Sequence, residues 1–271
     1  MILKLGWDND TVWAIRMRAA EKLKGSSPAG NSLNAGPVSS SQDGVHPRLE
    51  QYLRRHLDRR WSQPLHRPSI DAYRRLKDVC RFTAGRPFML DSGCGTGKST
   101  QQLARQYPGH LVIGVDKSQA RLAKSGMQRG GLDQSLVQRE NCILVRAELP
   151  TFWRLLARDG HIPDQQFLFY PNPWPKPGHL KRRWHGHPVF PRLLALGGKI
   201  EMRCNWKIYA LEFAQAAGFA TGESILAARY HPDSSASPFE QKYLERAQPL
   251  FSVTIPRHIT DAFRRSWRRS G

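Results

Sequence analysis

The segment Asp91-Ser92-Gly93-Cys94-Gly95-Thr96-Gly97-Lys98-Ser99-Thr100 constrains this chain more than any other. Three glycines alternate directly after an apolar run, Phe88–Asp91, and before a run with helical spacing, Ser99–Tyr107. Glycine lets the backbone turn sharply and approach a ligand with no Cβ in the way. A strand that breaks into such a loop and resumes as a helix opens a parallel sheet whose ligands lie beyond the carboxyl ends of the strands. The rest of the chain keeps the alternation. Leu111–Asp116, Cys142–Ala147, Phe167–Tyr170 and Lys199–Cys204 read as strands, with Ser118–Gln128, Phe152–Arg158 and Trp206–Ala217 as helices. Ser224–Tyr230 and Phe251–Pro256 read as closing strands. The predicted fold is α/β and Rossmann-like, a mainly parallel seven-stranded sheet with helices on both faces.

Three ligand classes compete for the glycine loop. A phosphate-binding P-loop needs G-x-x-x-x-G-K-[ST]; Gly97-Lys98-Ser99 supplies its end, but Ser92 stands where its first glycine belongs. A dinucleotide fingerprint, G-x-G-x-x-G, would need its third glycine at Lys98. The pattern that fits is acid-x-G-x-G-x-G, the methyl-donor loop of a methyltransferase. Asp91 is the acid that can pair with a cationic amino group. Asp116, ending the next strand, is placed to hold two ribose hydroxyls, and Glu148, after the third, to lie near an adenine.

The stretch FLFYPNPWPKPGHLKRR follows the fourth strand. Its prolines stiffen the backbone. Lys176, His179, Lys181, Arg182 and Arg183 beside Trp174 form an expected phosphate-contacting surface next to a ring that can stack on a base. The whole chain agrees in sign: 42 Lys and Arg against 22 Asp and Glu leave a net charge of +20. Such a surface draws in polyanions. Nucleic acid is favoured over membrane, because no basic helix with a Trp/Leu face is evident. No apolar run is long enough to span a bilayer, and no signal-peptide pattern opens the chain, so a cytoplasmic protein is expected.

Residues 1–45 read as a flexible extension, rich in Ser, Gly, Pro and Asn over 25–45, with a short amphipathic helix around Trp13–Leu23. Residues 46–86 read as a basic helical arm, in which Leu49, Leu53 and Leu57 recur at helical spacing among Arg54, Arg55, Arg59 and Arg60. It is either a solvated surface helix or an RNA-contacting lid. Residues 87–256 form the catalytic domain. Residues 257–271 are a basic tail, either a disordered end or a phosphate-gripping arm. The four cysteines form no CxxC pair, so reduced thiols and no metal are expected, with Cys94 a small loop-filling residue. His185 and His187 have metal-like spacing but are expected to contact RNA or solvent. Trp184 either stacks on a base or packs.

These motifs together resemble the tRNA (guanine-N7-)-methyltransferase family. The likeness runs over roughly 88–255 and rests on Pro171-Asn172-Pro173-Trp174-Pro175-Lys176 with Lys181-Arg182-Arg183, on GGKIEMRCNW from Gly197 to Trp206, and on SPFEQK from Ser237 to Lys242. It implies a class I methyltransferase with S-adenosylmethionine as cofactor and tRNA as partner. By the resemblance, Asp91, Gly93, Gly95, Gly97, Asp116, Glu148 and Asn172 hold the cofactor, and Asn172 is also catalytic. Lys176, Lys181, Arg182, Arg183, Asn205, Ser237, Phe239 and Glu240 face the tRNA, whose target is a guanine at position 46 of the variable loop.

Asn172 and Asn205 stand where the family has aspartates. Guanine N7 has a free lone pair and no proton, so its methylation needs positioning rather than a general base. The product purine is cationic, however, and an amide stabilises that charge less well than a carboxylate. Glu240 is expected to supply the missing negative charge. Two alternatives follow from the asparagines. One is an exocyclic-amine N-methyltransferase on RNA or DNA, since Asn172-Pro173-Trp174 partly matches [DN]-P-P-[YFW]. The other is an inactive tRNA-binding homologue. Monomer and homodimer are both open.

Overall fold

The computed structural model describes residues 37–59, 61–80, 87–126 and 136–269. The helix expected around Trp13–Leu23, Arg60, the end of the helix expected over Ser118–Gln128, and the side chains of Arg268 and Arg269 lie outside the described residues.

An eight-stranded sheet organises the described residues, in the order β3-β4-β2-β1-β5-β6-β8-β7. Its strands are β1 Phe88–Ser92, β2 Leu111–Asp116, β3 Leu136–Arg139, β4 Cys142–Arg146, β5 Gln165–Phe169, β6 Lys199–Cys204, β7 Ala227–Tyr230 and β8 Leu250–Ile255. Strands β4, β2, β1, β5 and β6 run parallel. β8 is antiparallel to β6 and to β7. The strand absent from the sequence reading is β3, an edge strand pairing antiparallel with β4. Its four residues follow a segment with little apolar signal, and a short edge strand leaves little periodicity to read. The central strands β1 and β2 are buried at every position, as expected for a sheet covered on both faces.

The helices are α1 Leu49–Asp58, α2 Arg67–Cys80, α3 Lys98–Gln106, α4 Gln119–Leu122, α5 Leu149–Asp159, α6 Phe190–Ala195, α7 Lys207–Thr221, α8 Pro238–Glu245 and α9 Arg257–Arg269. Local chemistry fixes their ends. Ser118 caps α4 by accepting from the Arg121 amide, and Ser237 caps α8 by accepting from that of Glu240. Gly160 and Gly222 close α5 and α7 in the left-handed conformation. None of the described helices is long and apolar enough to cross a membrane.

Burial changes how two segments are understood. Leu49 and Leu53 of α1 and Ala72, Tyr73 and Leu76 of α2 belong to the main apolar core, so these helices pack onto the sheet domain. The basic C-terminal segment is helical, with Ile259 and Phe263 buried in that core and Trp267 packed against it. It reads as a tail because its arginines outnumber its three apolar anchors, yet those anchors share one face at helical spacing. Residues 37–45 are also tied down: Gln42 is buried, and Ser40 donates to the carbonyl of Pro175 at 2.6 Å.

Candidate functional site

β1, β2 and β5 are neighbours in the sheet, so the loops leaving their carboxyl ends converge. The first is the glycine loop. Gly93, Gly95 and Gly97 have φ of 83°, 60° and 74°, a region that other residues enter only at a cost. A Cβ on Gly93 or Gly95 would meet nothing within 4 Å, so the space over the loop is open. A Cβ on Gly97 would sit 2.5 Å from the Leu144 side chain, so that glycine serves the packing of α3 over β4.

Asp91, next to last in β1, is almost wholly buried. One carboxylate oxygen, Oδ2, accepts from Ser99 Oγ at 2.6 Å and Thr100 Oγ1 at 2.7 Å. Thr100 can come this close because β2 carries Gly114, where a Cβ would lie 2.3 Å from the threonine oxygen. The other oxygen, Oδ1, is buried and has no hydrogen-bond partner. Burial pushes the Asp91 carboxyl up to about 6, against the pull of the two hydroxyls. An orphaned carboxylate oxygen beside an open glycine cradle fits a ligand that brings a cationic amino group.

Asp116 is buried at the end of β2 and braces the loop. Its Oδ2 accepts from the Gly95 amide at 3.0 Å, and its Oδ1 accepts from the Ser118 amide at 2.8 Å and pairs with Arg121 at 3.1 Å. Glu148 is exposed at the start of α5, its amide bonded to Ser69 Oγ at 2.9 Å. Cys94 is buried and its thiol is pushed well up by desolvation, so it fills space and has no thiolate to offer.

The loop after β5 is bent at two residues with positive φ, Tyr170 at 50° and Trp174 at 46°. Asn172 is exposed between them, and its Oδ1 accepts from the Trp174 amide at 3.3 Å. Lys176, Lys181 and Arg182 are exposed. Lys181 Nζ lies 5.1 Å over the Tyr52 ring of α1, and the Arg182 guanidinium 4.7 Å over Trp174. Lys181 thus lies against α1 through the Tyr52 ring.

Arg183, expected to face tRNA, does not. It is 0% exposed and is aimed inward. Its Nη1 donates to Glu212 Oε2 at 2.5 Å, and its Nη2 donates to Gln42 Oε1 at 3.0 Å. Nε and Nη2 also donate to the Trp174 carbonyl, at 3.2 and 3.1 Å. The reason is a partner that no local pattern shows: Glu212, fully buried in α7, makes this arginine a structural cation. His185 Nε2 also meets Glu212, at 2.8 Å, while Gln42 Nε2 and the His46 amide donate to its other oxygen. Although burial opposes it, these partners hold the Glu212 carboxyl down at about 2. His185 is wholly buried in this network and so is not open to RNA, while His187 is half-buried and packs edge-on to Trp61, with burial lowering it to about 4. Trp184 packs against Trp153 with ring centroids 5.0 Å apart. One signal for Glu212 exists in the sequence. It is a lone acid inside KIYALEFAQAAGFAT, and a charge in an apolar helix must be paired.

The SPFEQK segment divides similarly. Phe239 is exposed, and Ser237, half-buried, caps α8. Glu240, expected to face the guanine, is 0% exposed. Its Oε1 accepts from Tyr170 Oη at 2.6 Å and Arg203 Nη1 at 3.2 Å, and its Oε2 from the Ala236 amide. It stands behind the β5 loop and fixes Tyr170, since a helix N-terminus and an arginine together repay the burial of its charge. Asn205, half-buried at the end of β6, donates to Gln248 Oε1 at 3.0 Å.

A mainly parallel sheet in which β3 and β8 run the other way, a glycine cradle after its central strand and acids at the carboxyl ends of β1 and β2 define a class I methyltransferase, dependent on S-adenosylmethionine. The chain belongs to the methyltransferase family whose model, Methyltransf_4, matches residues 85–252. Among curated relatives, the tRNA (guanine-N(7)-)-methyltransferase of Neisseria meningitidis serogroup A is 28% identical over 175 residues, covering 63% of this chain and 70% of that protein. The enzyme of the same name from Thermus thermophilus is 34% identical over 140 residues, 49% of this chain and 42% of that one. The likeness to solved structures is looser. The 16S rRNA methyltransferase KamB superposes with a TM-score of 0.45 at 16% identity, covering 72% of this chain and 95% of that one.

Proposed function

We propose that this enzyme transfers the methyl group of S-adenosylmethionine to N7 of a guanine in tRNA, at position 46 of the variable loop, and that it does so in the cytoplasm. The observation that carries the reading is the convergence of the glycine cradle and the Asn172 turn on adjacent strands, within a chain whose curated relatives bear the name tRNA (guanine-N(7)-)-methyltransferase.

The cofactor supplies an electrophilic methyl on a sulfonium. The chain's residues orient it. Asp91 Oδ1 takes the amino group, the open faces of Gly93 and Gly95 admit the backbone of the ligand, and Asp116 and Glu148 hold the ribose and adenine side. Because Asp116 already accepts from Gly95 and Ser118, ribose hydroxyls add to its remaining acceptor capacity or displace Arg121. Asn172, exposed beside this cradle, receives the guanine. Its amide orients N7 for in-line attack and takes no proton, because none leaves N7. Exposed Phe239 is the ring on which the guanine stacks, and Asn205 and Ser237 border it. Lys176, Lys181 and Arg182 take the flanking phosphates. Glu240 acts from behind, through Tyr170, so the cationic product is stabilised by a buried carboxylate at one remove.

The test is to incubate the protein with S-adenosylmethionine and unmodified tRNA, then map N7-methylguanine by borohydride and aniline cleavage. Cleavage at one variable-loop guanine is expected. Methyl incorporated elsewhere, with no such cleavage, overturns the proposal.

A further inference from the structure

We infer that Arg183, Ser40 and Gln42 are positioning residues for methyl transfer: the segment 37–46 is a strap that, with the buried guanidinium, holds the Asn172–Lys176 turn in its reactive shape. The inference rests on reading this turn as the guanine-receiving loop.

The turn cannot hold itself. Pro173 and Pro175 have no N–H to donate. Within it, the described bond is the one from the Trp174 amide to Asn172 Oδ1. Its carbonyls are instead held from outside. The Trp174 carbonyl accepts from Arg183 Nε and Nη2, and that of Lys176 accepts from the His179 backbone amide at 2.9 Å as well as from Arg183 Nη2 at 3.4 Å. The Pro175 carbonyl accepts from Arg183 Nη2 at 3.5 Å and, more closely, from Ser40 Oγ at 2.6 Å. Three consecutive carbonyls are thus bonded to two side chains, the wholly buried Arg183 and the half-buried Ser40.

Those two side chains are themselves linked. The Gln42 side chain accepts from Arg183 Nη2 and donates to Glu212, and the Gln42 backbone N–H donates to Ser40 Oγ at 3.0 Å. Only a planar fork with five donors can serve Glu212, Gln42 and the carbonyls at once, so lysine is no substitute at 183. Asn172 inherits its position from this arrangement through the Trp174 backbone. Since N7 methylation depends on alignment rather than proton transfer, small displacements of the turn should appear in the rate of the chemical step.

Full-length Ser40→Ala and Arg183→Lys should be compared with wild type. Donor affinity is measured by calorimetry, tRNA affinity by filter binding, and methyl transfer in single turnovers at saturating donor and tRNA. A misplacement of about 1 Å can cost roughly a hundredfold, so a partial loosening in Ser40→Ala should slow transfer about threefold to tenfold, and Arg183→Lys more, with both affinities within about twofold. Unchanged rates in the two variants overturn the inference, as does a fall in rate matched by an equal loss of donor affinity. Should Arg183→Lys fail to fold, the half-buried Ser40→Ala decides alone. Should wild type methylate no tRNA, the reading of the site fails separately. Amide exchange at Asn172 and Trp174 then decides the strap: faster exchange in Ser40→Ala supports it, and equal exchange rejects it.

Discussion

Arg183 and Glu212 lie 29 residues apart and meet as a wholly buried ion pair, Nη1 to Oε2 at 2.5 Å. The pair joins the mid-point of α7 to the turn that carries Asn172. Each charge is fully partnered: Glu212 receives four donors, and Arg183 reaches Gln42 and the backbone carbonyls of the turn. The contact is costly to break, because the survivor is left charged and dry.

Glu212→Ala should therefore destabilise the protein by about 3–5 kcal/mol in urea unfolding at neutral pH. The carboxyl is held down from 4.5 to about 2, so its contribution is complete above pH 4.5 and disappears as pH falls towards 2. The difference between variant and wild type should shrink across that window. A constant difference down to pH 2 would mean that the loss comes from packing alone.

Asp91 behaves in the opposite sense. Its folded-state carboxyl is raised from 3.8 to about 6, so the empty protein holds this proton more tightly than the unfolded chain does. Stability from this group is present below pH 3.8 and is lost as pH rises through 6. Asp91→Asn should raise the stability of the empty protein at pH 7 by about 1–3 kcal/mol while weakening donor binding. In wild type, donor affinity should climb as pH rises through 6, because the amino group prefers the ionised carboxylate. Calorimetry of the variant showing the same climb would place the titrating group elsewhere.

Asp116→Ala removes the acceptor for the Gly95 amide as well as the proposed ribose ligand. Donor affinity should fall at least tenfold, the equivalent of about 1.4 kcal/mol, with tRNA affinity nearly unchanged. Equal loss of both affinities would indicate that the glycine loop has collapsed.

The basic run should split by residue. Lys176→Ala, Lys181→Ala and Arg182→Ala each remove one exposed charge and should weaken tRNA binding, lowering the slope of log affinity against log salt by about one. Arg183→Ala should leave that slope unchanged and lower the melting temperature. Filter binding over a salt series separates the two outcomes, and a lowered slope for Arg183→Ala would show that it reaches phosphate after all.

The glycine loop, the acids at 91 and 116 and the alternation of strand and helix could be read from the chain, because each is a matter of spacing over a few residues. Apolar runs of strand length, a glycine-rich break and a helical period are local properties, and the sheet topology follows from how such units can pack. The short β3 strand and the apolar anchors of α9 were harder to read, since a few apolar residues among many charges give a weak period.

What the sequence could not assign was the side on which a charge lies. Lys181, Arg182 and Arg183 are equivalent as text, yet two are exposed and the third is sealed in the core. Glu240 reads as a substrate contact and is a buried brace for Tyr170. Burial of a charge is decided by whether a partner waits for it, and here the partners come from 29 and 70 residues away. Local sequence thus determined the elements and the glycine loop. Only the tertiary structure, by setting desolvation against ion pairing, decided which basic and acidic residues could meet a substrate and which hold the site in shape.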